Sequence, residues 1–186
     1  ITETREAHMT HNVRIGIIGA GKVAADRHLP GLKKASGADV VMAWSRNPDN
    51  ARSFADRFGI PTVAPSWQEI VDSREVDAVI VSTPPVLHHA ATLAALEAGK
   101  HVLCEKPLGV SANECRRMID AAQANNLVLV EGFTHRWNPH LREARRLVTT
   151  GAIGRIATID ASFSFRAADL ESNIRYSSEL GGGALW

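Results

Sequence analysis

Apolar runs and helix-like stretches alternate along residues 13–131 of the chain. Continuous apolar segments predict buried strands, first at 13–18 and most clearly at 76–81. Segments with helical periodicity lie between such runs, for example at 86–98 and 111–125. Continuous apolar strands that alternate with helices are typical of a parallel sheet covered on both faces. The pattern therefore predicts an α/β fold built on a doubly wound parallel sheet.

The remaining predicted elements complete this alternation. Pro30 interrupts the first helix or delays its start, and Ser111 with Glu114 forms a capping-box pattern before the last helix. The other predicted strands are 40–44, 61–64, 101–104 and 127–131, and the other predicted helices are 22–35, 48–58 and 67–71.

The pattern changes after residue 131. A helix is predicted from Asn138 to about residue 149, and apolar and polar residues then alternate over 156–165. Such alternation predicts a strand of an antiparallel sheet with one solvated face. We therefore expect the doubly wound domain to cover 12–131 and an α+β domain to begin over 132–186. Residues 1–11 are polar and without periodicity, and we expect them to form a disordered leader.

Composition and charge exclude several classes of protein. The 186 residues include 21 Lys and Arg against 20 Asp and Glu, without the basic clusters of a nucleic-acid-binding surface. No apolar run reaches the ~18 residues that span a bilayer, so no membrane partner is expected. Two cysteines, Cys104 and Cys115, indicate a reducing compartment, and we expect a cytoplasmic protein. The histidines and cysteines lack metal-ligand spacing, so no metal site is expected.

A glycine turn joins the first predicted strand to the first predicted helix. In Gly19-Ala-Gly21-Lys-Val-Ala24, Gly19 allows a tight turn and Gly21 allows the backbone to approach a pyrophosphate. Ala24 allows the helix to pack closely on the strand, and the helix N-terminus offers N–H groups to phosphate. The turn, including Lys22 and Val23, therefore predicts a dinucleotide cofactor site of the Rossmann type. A plain tight turn is the alternative.

The residues after the second predicted strand bear on the choice of cofactor. NAD sites usually have an acidic residue there, which holds the ribose 2′-hydroxyl. This chain has Ser45 and Arg46 instead, and the nearest acid is Asp49. Ser45 could donate a hydrogen bond to a 2′-phosphate and Arg46 could pair with it, so NADP is favoured over NAD. A solvated surface arginine is the alternative.

A Glu-Lys-Pro segment, Glu105 to Pro107, follows another predicted strand and so lies at the carboxyl edge of the sheet. A lysine at this edge can hold its ammonium against a substrate hydroxyl and share the proton that moves when hydride leaves. Burial of Lys106 would favour that transfer, and Pro107 defines the turn, where a cis bond can occur. Taken alone, the segment is also compatible with a solvated surface lysine.

Four segments of this chain occur together in one known family. They are Ile17-Ile-Gly-Ala-Gly21, Ser82-Thr-Pro-Pro-Val-Leu-His88, Ala98-Gly-Lys-His-Val-Leu-Cys-Glu-Lys-Pro-Leu108 and Gly181-Gly-Gly-Ala-Leu185. In this order and spacing they resemble the Gfo/Idh/MocA oxidoreductases, named after glucose–fructose oxidoreductase and inositol 2-dehydrogenase. Asn173-Ile-Arg175, ahead of Glu179-Leu-Gly, looks closer to the D-xylose dehydrogenase and dihydrodiol dehydrogenase branch.

The resemblance implies an N-terminal Rossmann domain followed by an α+β domain with a large antiparallel sheet. It implies NAD(P)-dependent oxidation of a sugar or polyol hydroxyl or the reverse reduction, in a full-length homodimer or homotetramer. Lys106 matches the active-site lysine, with Glu105 and Pro107 as its motif neighbours. The remaining matched positions are Thr83, Pro84 and His88 along the cofactor, Arg136, Trp137 and Asn138 at the interdomain cleft, and Arg175 towards the substrate.

In the family, the glycine run leads to an Asp and then to a His or Tyr that share catalysis with the lysine. This chain stops at Trp186, directly before those positions, so we expect little or no turnover from it. The alternative function is a cofactor-binding protein without catalysis, either a sensor or a relic.

Overall fold

The computed structural model describes residues 12–162, residue 164 and residues 176–182. The expected leader over 1–11 and the candidate substrate residue Arg175 lie outside the described residues.

Six parallel strands form one sheet in the described part of the chain. The order across the sheet is β3-β2-β1-β4-β5-β6, so the direction of winding reverses between the neighbouring strands β1 and β4. The predicted doubly wound α/β fold is therefore confirmed. The strands are β1 (Val13–Ile18), β2 (Ala38–Trp44), β3 (Thr62–Val63), β4 (Ala78–Val81), β5 (His101–Cys104) and β6 (Leu129–Glu131).

Helices connect these strands across both faces of the sheet. They are α1 (Leu29–Lys34), α2 (Pro48–Phe58), α3 (Trp67–Asp72), α4 (His88–Glu97) and α5 (Ala112–Ala124). A π-helical turn, Ala24–His28, precedes α1, and Pro30 stands in the first turn of α1. Proline lacks an N–H group, so it is tolerated in the first turn of a helix. It cannot donate the backbone hydrogen bond of the preceding turn, and the hydrogen-bond pattern changes from π-helical to α-helical at this point.

The core has two halves, one on each face of the sheet. In β1, Ile17 and Ile18 are both fully buried, and they belong to opposite halves. One half packs the sheet against α3, α4 and α5, where Leu96 and Met118 are completely buried. The other half packs it against α1 and α2, where Phe54 is buried. A sheet covered on both faces accounts for strands that are continuously apolar in sequence.

The chain after the sheet has a different structure. A 3₁₀ turn, Thr134–Trp137, leads into α6 (Pro139–Thr149), so the predicted helix is confirmed. The strand predicted over 156–165 is wrong for the described positions, since residues 156–162 and residue 164 form neither helix nor strand. A strand needs a neighbour that accepts and donates its backbone hydrogen bonds, and no described residue pairs with this segment.

Among the described residues, no helix combines the length and apolar character needed to cross a membrane.

Candidate active site

The glycine turn is held between the carboxyl ends of β2 and β4. The N–H groups of Gly19 and Ala20 donate to the carbonyl oxygen of Trp44, at 2.9 and 3.0 Å. Gly19 has a φ of +107°, and a Cβ there would lie 2.6 Å from the carbonyl carbon and oxygen of Ser82. Only glycine fits this backbone approach, because any larger residue would overlap the end of β4.

The beginning of the first helix is open on the side of the turn. A Cβ on Gly21 would meet no atom within 4 Å, which leaves the room that the sequence predicted for a pyrophosphate. The N–H of Ala25 donates to Gly21, so the N–H groups of Lys22, Val23 and Ala24 precede the first helical bond. Lys22 and Val23 are exposed, whereas Ala24 is fully buried against the sheet, as its predicted packing role requires.

Two hydroxyl groups at the end of β4 are buried without a hydrogen-bond partner among the described residues. They are Ser82 Oγ and Thr83 Oγ1, and the backbone of these two residues lies against Gly19. Unpaired buried hydroxyl groups leave hydrogen-bonding capacity for a ligand at this end of the sheet, and their role towards the cofactor stays a prediction. The sequence motif points to Thr83 and Pro84 but not to Ser82, which could have been chosen from its position at the end of a predicted strand.

The residues proposed to select the cofactor follow β2 directly. Ser45 is half-buried and Arg46 is exposed, and Asn47 then caps α2. An open cavity of about 450 Å³ lies between the glycine turn and α2, lined in part by Lys22, Asn50 and Arg57. The cavity lining also includes Asp26, and its cationic and amide groups are of the kind that bind anionic ligands.

The turn around Lys106 is anchored on both sides of the lysine. The Glu105 N–H donates to the Val81 carbonyl oxygen at 2.8 Å, and the Leu108 N–H donates to Glu131 Oε1 at 3.0 Å. The peptide bond between Lys106 and Pro107 is cis, as the sequence allowed. The side chain of Lys106 itself is exposed in the described part of the chain, so the burial that would assist its proton transfer is not present here. An exposed lysine on a rigid turn can reach a ligand that lies over the edge of the sheet.

His88 holds two loops of the site together. Its side chain is buried, with Nδ1 2.7 Å from the Pro107 carbonyl oxygen and Nε2 2.9 Å from that of Thr83. Because both partners can only accept, a neutral ring satisfies one of them and a protonated ring satisfies both. His88 therefore links the loop that follows β4 to the loop that follows β5 through its two ring nitrogens.

A hydrogen bond between two distant side chains, to which no sequence motif points, connects the first helix to the Lys106 turn. His28 Nε2 lies 3.0 Å from Glu105 Oε1, and only 13% and 15% of the two side chains are exposed. Burial acts to raise the pKa of Glu105, but hydrogen bonds from His28 and from the Lys106 N–H hold that pKa below its usual value. The residues are far apart in sequence, and no local pattern links them.

The three residues predicted to line the interdomain cleft follow β6. Arg136 and Trp137 lie in the exposed 3₁₀ turn, with 64% of Trp137 accessible. Asn138 caps α6, since its Oδ1 accepts the N–H groups of His140 and Leu141 at 2.9 and 3.4 Å. Their role at a cleft stays a prediction. In the part of the chain that the structure describes, His, Cys, Asp and Glu form no group of three that could hold a metal ion.

A parallel sheet whose winding reverses at β1 and β4, with a glycine turn at that point, defines a dinucleotide-binding Rossmann domain. The family model described as an oxidoreductase family with an NAD-binding Rossmann fold, Gfo/Idh/MocA, matches residues 13–133. The chain belongs to this family, as the resemblance in its sequence predicted.

Similar proteins include enzymes named for sugar chemistry. The chain is 38% identical over 175 residues to a dTDP-3,4-didehydro-2,6-dideoxy-alpha-D-glucose 3-reductase from Streptomyces violaceoruber, covering 93% of this chain and 50% of that enzyme. It is 33% identical over 170 residues to D-xylose 1-dehydrogenase (NADP(+)) 2 from Haloferax volcanii, covering 91% and 52%. The chain thus spans about half the length of the curated relatives it matches.

A similar solved structure is a mutant 3-ketoreductase from Actinomadura kijaniata in complex with TDP-benzene and NADP. It matches with a TM-score of 0.84 and 35% identity, over 93% of this chain and 53% of that chain.

Proposed function

We propose that this chain forms the cofactor-binding part of an NADP-dependent oxidoreductase that acts on a sugar, a polyol or a related cyclic hydroxyl or carbonyl compound. The observation on which the proposal depends is that the glycine turn and the Lys106 turn lie at one edge of the sheet, joined through Thr83 and His88. Such an edge is where doubly wound folds bind their ligands.

The cofactor contacts follow from the site. The N–H groups of Lys22, Val23 and Ala24 face the pyrophosphate, with Gly19 and Gly21 providing the close backbone approach. Ser45 and Arg46 bind the 2′-phosphate, and the unpaired hydroxyl groups at the end of β4 bind the ribose. The similar 3-ketoreductase was solved with NADP, and the xylose dehydrogenase relative is named for NADP(+), which supports this choice of cofactor over NAD.

When bound, the nicotinamide cofactor supplies or accepts the hydride. In the reduction, the Lys106 ammonium group binds the carbonyl oxygen of the substrate and gives it a proton as hydride reaches the carbon. In the oxidation, the neutral Lys106 amine takes the hydroxyl proton as hydride leaves. Arg136, Trp137 and Asn138 are proposed to line the interdomain cleft beside the cofactor, and Arg175 is proposed to bind the substrate. Two of the similar enzymes, a keto-sugar reductase and a xylose dehydrogenase, support a sugar as the substrate class.

The cellular compartment, the oligomeric state and the partners of the protein are also part of the proposal. Cys104 and Cys115 are both free thiols, which fits a reducing, cytoplasmic compartment. We propose that the full-length protein is a homodimer or homotetramer, and that its partners are the cofactor and a small sugar.

The proposal is tested by titrating the chain with NADPH and NADH while following tryptophan emission. NADPH should bind more tightly, and Arg46→Ala should weaken NADPH binding about tenfold while leaving NADH binding unchanged, because only NADPH has the 2′-phosphate. Arg52→Ala, an exposed arginine of α2 that pairs with Asp49, is the matched control. Binding of neither cofactor would contradict the proposal.

Turnover separates the catalytic proposal from the alternative function. The same preparation is assayed with sugars, keto-sugars and inositols, and with the cofactor that binds. Tight binding without turnover, both here and in a version extended to the length of the relatives, would favour a non-catalytic cofactor-binding protein.

A further inference from the structure

The His28–Glu105 pair joins the helix that follows the glycine turn to the Lys106 turn. His28 ends the π-helical turn that follows the glycine turn, and Glu105 directly precedes Lys106. The two side chains meet at 3.0 Å in a largely buried position. Sequence motifs select Glu105 as a neighbour of the lysine, but they assign nothing to His28.

The Glu105 carboxylate is held from three sides. Oε1 contacts His28 Nε2, and Oε2 accepts the backbone N–H of Lys106 at 3.2 Å. The third side is the backbone of Gly132, where a Cβ would lie 3.2 Å from Glu105 Cα, Cδ and Oε1. The carboxylate therefore has little room to rotate, and its orientation is transmitted to the backbone of Lys106.

The rest of the turn is anchored by other residues. His88 contacts the carbonyl oxygen of Pro107, and Glu131 accepts the N–H of Leu108. These bonds hold the turn after the lysine, whereas the carboxylate of Glu105 bonds to Lys106 itself. His28 is thus the contact through which the helix of the glycine turn reaches the lysine.

We propose that His28 is a positioning residue for Lys106. His28 holds the carboxylate of Glu105 in place, and that carboxylate in turn holds the backbone N–H of Lys106. The lysine is thereby connected to the helix whose N-terminus forms the glycine turn. The catalytic meaning of this link rests on the proposed function, in which the turn binds NADP and Lys106 handles the proton. Because coupling between two sites is reciprocal, breaking the pair also weakens cofactor binding.

The first test needs no cofactor. Amide hydrogen exchange is measured by NMR on the 186-residue chain, with His28→Leu, His28→Gln and the exposed control His140→Leu. His28→Leu should speed exchange of the Lys106 amide about tenfold, since its acceptor becomes mobile, while the Leu108 amide stays within about threefold. His28→Gln keeps a donor near the position of Nε2 and should restore most of the protection.

Two results would overturn the inference: unchanged exchange at Lys106 in His28→Leu, or an equal increase at Leu108, which would mean general loosening. Should His28→Leu not fold, Glu105→Gln replaces it. This variant preserves the shape and weakens both bonds, so it should also speed exchange at Lys106 alone.

The second test adds NADPH and separates this inference from the proposed function. NADPH should protect Lys106 from acetylation in the parent chain, and His28→Leu should weaken NADPH binding about tenfold and reduce that protection, with the exposed Lys34 as internal reference. If the parent chain does not bind NADPH, the proposed function fails, and the exchange measurement still decides the role of His28. If NADPH binds and protects equally in parent and variant, the role of His28 fails alone.

Discussion

Two helices of similar length, α5 and α6, show how differently the two regions of this chain are built. Both begin with a side chain that accepts backbone N–H groups, Ser111 in α5 and Asn138 in α6. Helix α5 buries Met118 and Ala122 against the sheet, whereas α6 buries no residue. Periodicity and a good cap are therefore enough to specify a helix, but burial requires a partner surface.

The same contrast extends to strands. Among the described residues, every buried apolar side chain lies between Ile15 and Ala122, in the region that forms the sheet. The short strand β6 is ordered by pairing with β5, while 156–162, with a clearer alternating pattern, forms no strand. Tertiary contacts thus decide which segments become strands. Substitutions at matched positions of the two regions should therefore lower the free energy of unfolding by different amounts.

The largest difference is expected at two glycines with positive φ. Gly19→Ala should lower the free energy of unfolding by about 4 kcal/mol, since it adds backbone strain to overlap with Ser82. Gly154→Ala, where φ is +70° and a Cβ meets no atom within 4 Å, should cost about 1 kcal/mol or less. Urea unfolding measures both. Equal losses would show that conformational strain alone, and not contact with the end of β4, makes Gly19 necessary.

The next difference concerns apolar side chains. Leu96→Ala in α4 should lower the free energy of unfolding by about 3 kcal/mol, because it leaves a cavity in a fully buried position. Val148→Ala in α6, where 39% of the side chain is exposed, should change it by less than about 0.5 kcal/mol. Thermal and urea unfolding check both variants. A large loss in Val148→Ala would mean that α6 packs on a surface in solution.

The two Asn-Pro helix starts form the closest matched pair. Asn47 Oδ1 accepts the N–H of Asp49 at 2.9 Å, and Asn138 Oδ1 accepts that of His140 at the same distance. Asn47→Ala should lower the global free energy of unfolding by about 1 kcal/mol, because α2 packs on the core. Asn138→Ala should raise hydrogen exchange within α6 and leave global unfolding unchanged. Identical global effects would contradict the independence of α6.

The smallest difference concerns two glutamates whose pKa values both lie below the usual range. Burial acts to raise the pKa of Glu105, and His28 and the Lys106 N–H outweigh it, while Arg146 alone lowers that of the exposed Glu143. A lowered native pKa stabilises the fold above about pH 4.3, and this stabilisation is lost as pH falls through the native value.

Unfolding measured from pH 7 to pH 3 checks this prediction. The difference in free energy of unfolding between the parent chain and Glu105→Gln should be full near neutral pH and should shrink below about pH 4.3. Glu143→Gln should show a weaker dependence, because its pair is screened by solvent. A pH-independent difference for Glu105→Gln would mean that its charge does not stabilise the fold.

Much of the candidate site could be proposed from the sequence because its signals are local. Gly19, Gly21 and Ala24 sit in one turn between a strand and a helix, and Lys106 lies in a short segment after another strand. The elements around them were also predicted, with shifts of a few residues such as β4 at Ala78–Val81. The capping box predicted for α5 forms only in part. Ser111 Oγ accepts the Glu114 N–H, but Glu114 Oε2 accepts the N–H of Val110 and not that of Ser111.

The sequence by itself determined the alternation of strands and helices, the glycine turn and the family, because each depends on residues close together in the chain. Only the tertiary structure decided that His28 meets Glu105, that His88 joins Thr83 to Pro107, and that Lys106 is exposed on an anchored turn. It also decided that 156–162 is not a strand. Contacts between distant residues, and the presence of a partner for a backbone edge, depend on packing in three dimensions, which periodicity along the chain does not encode.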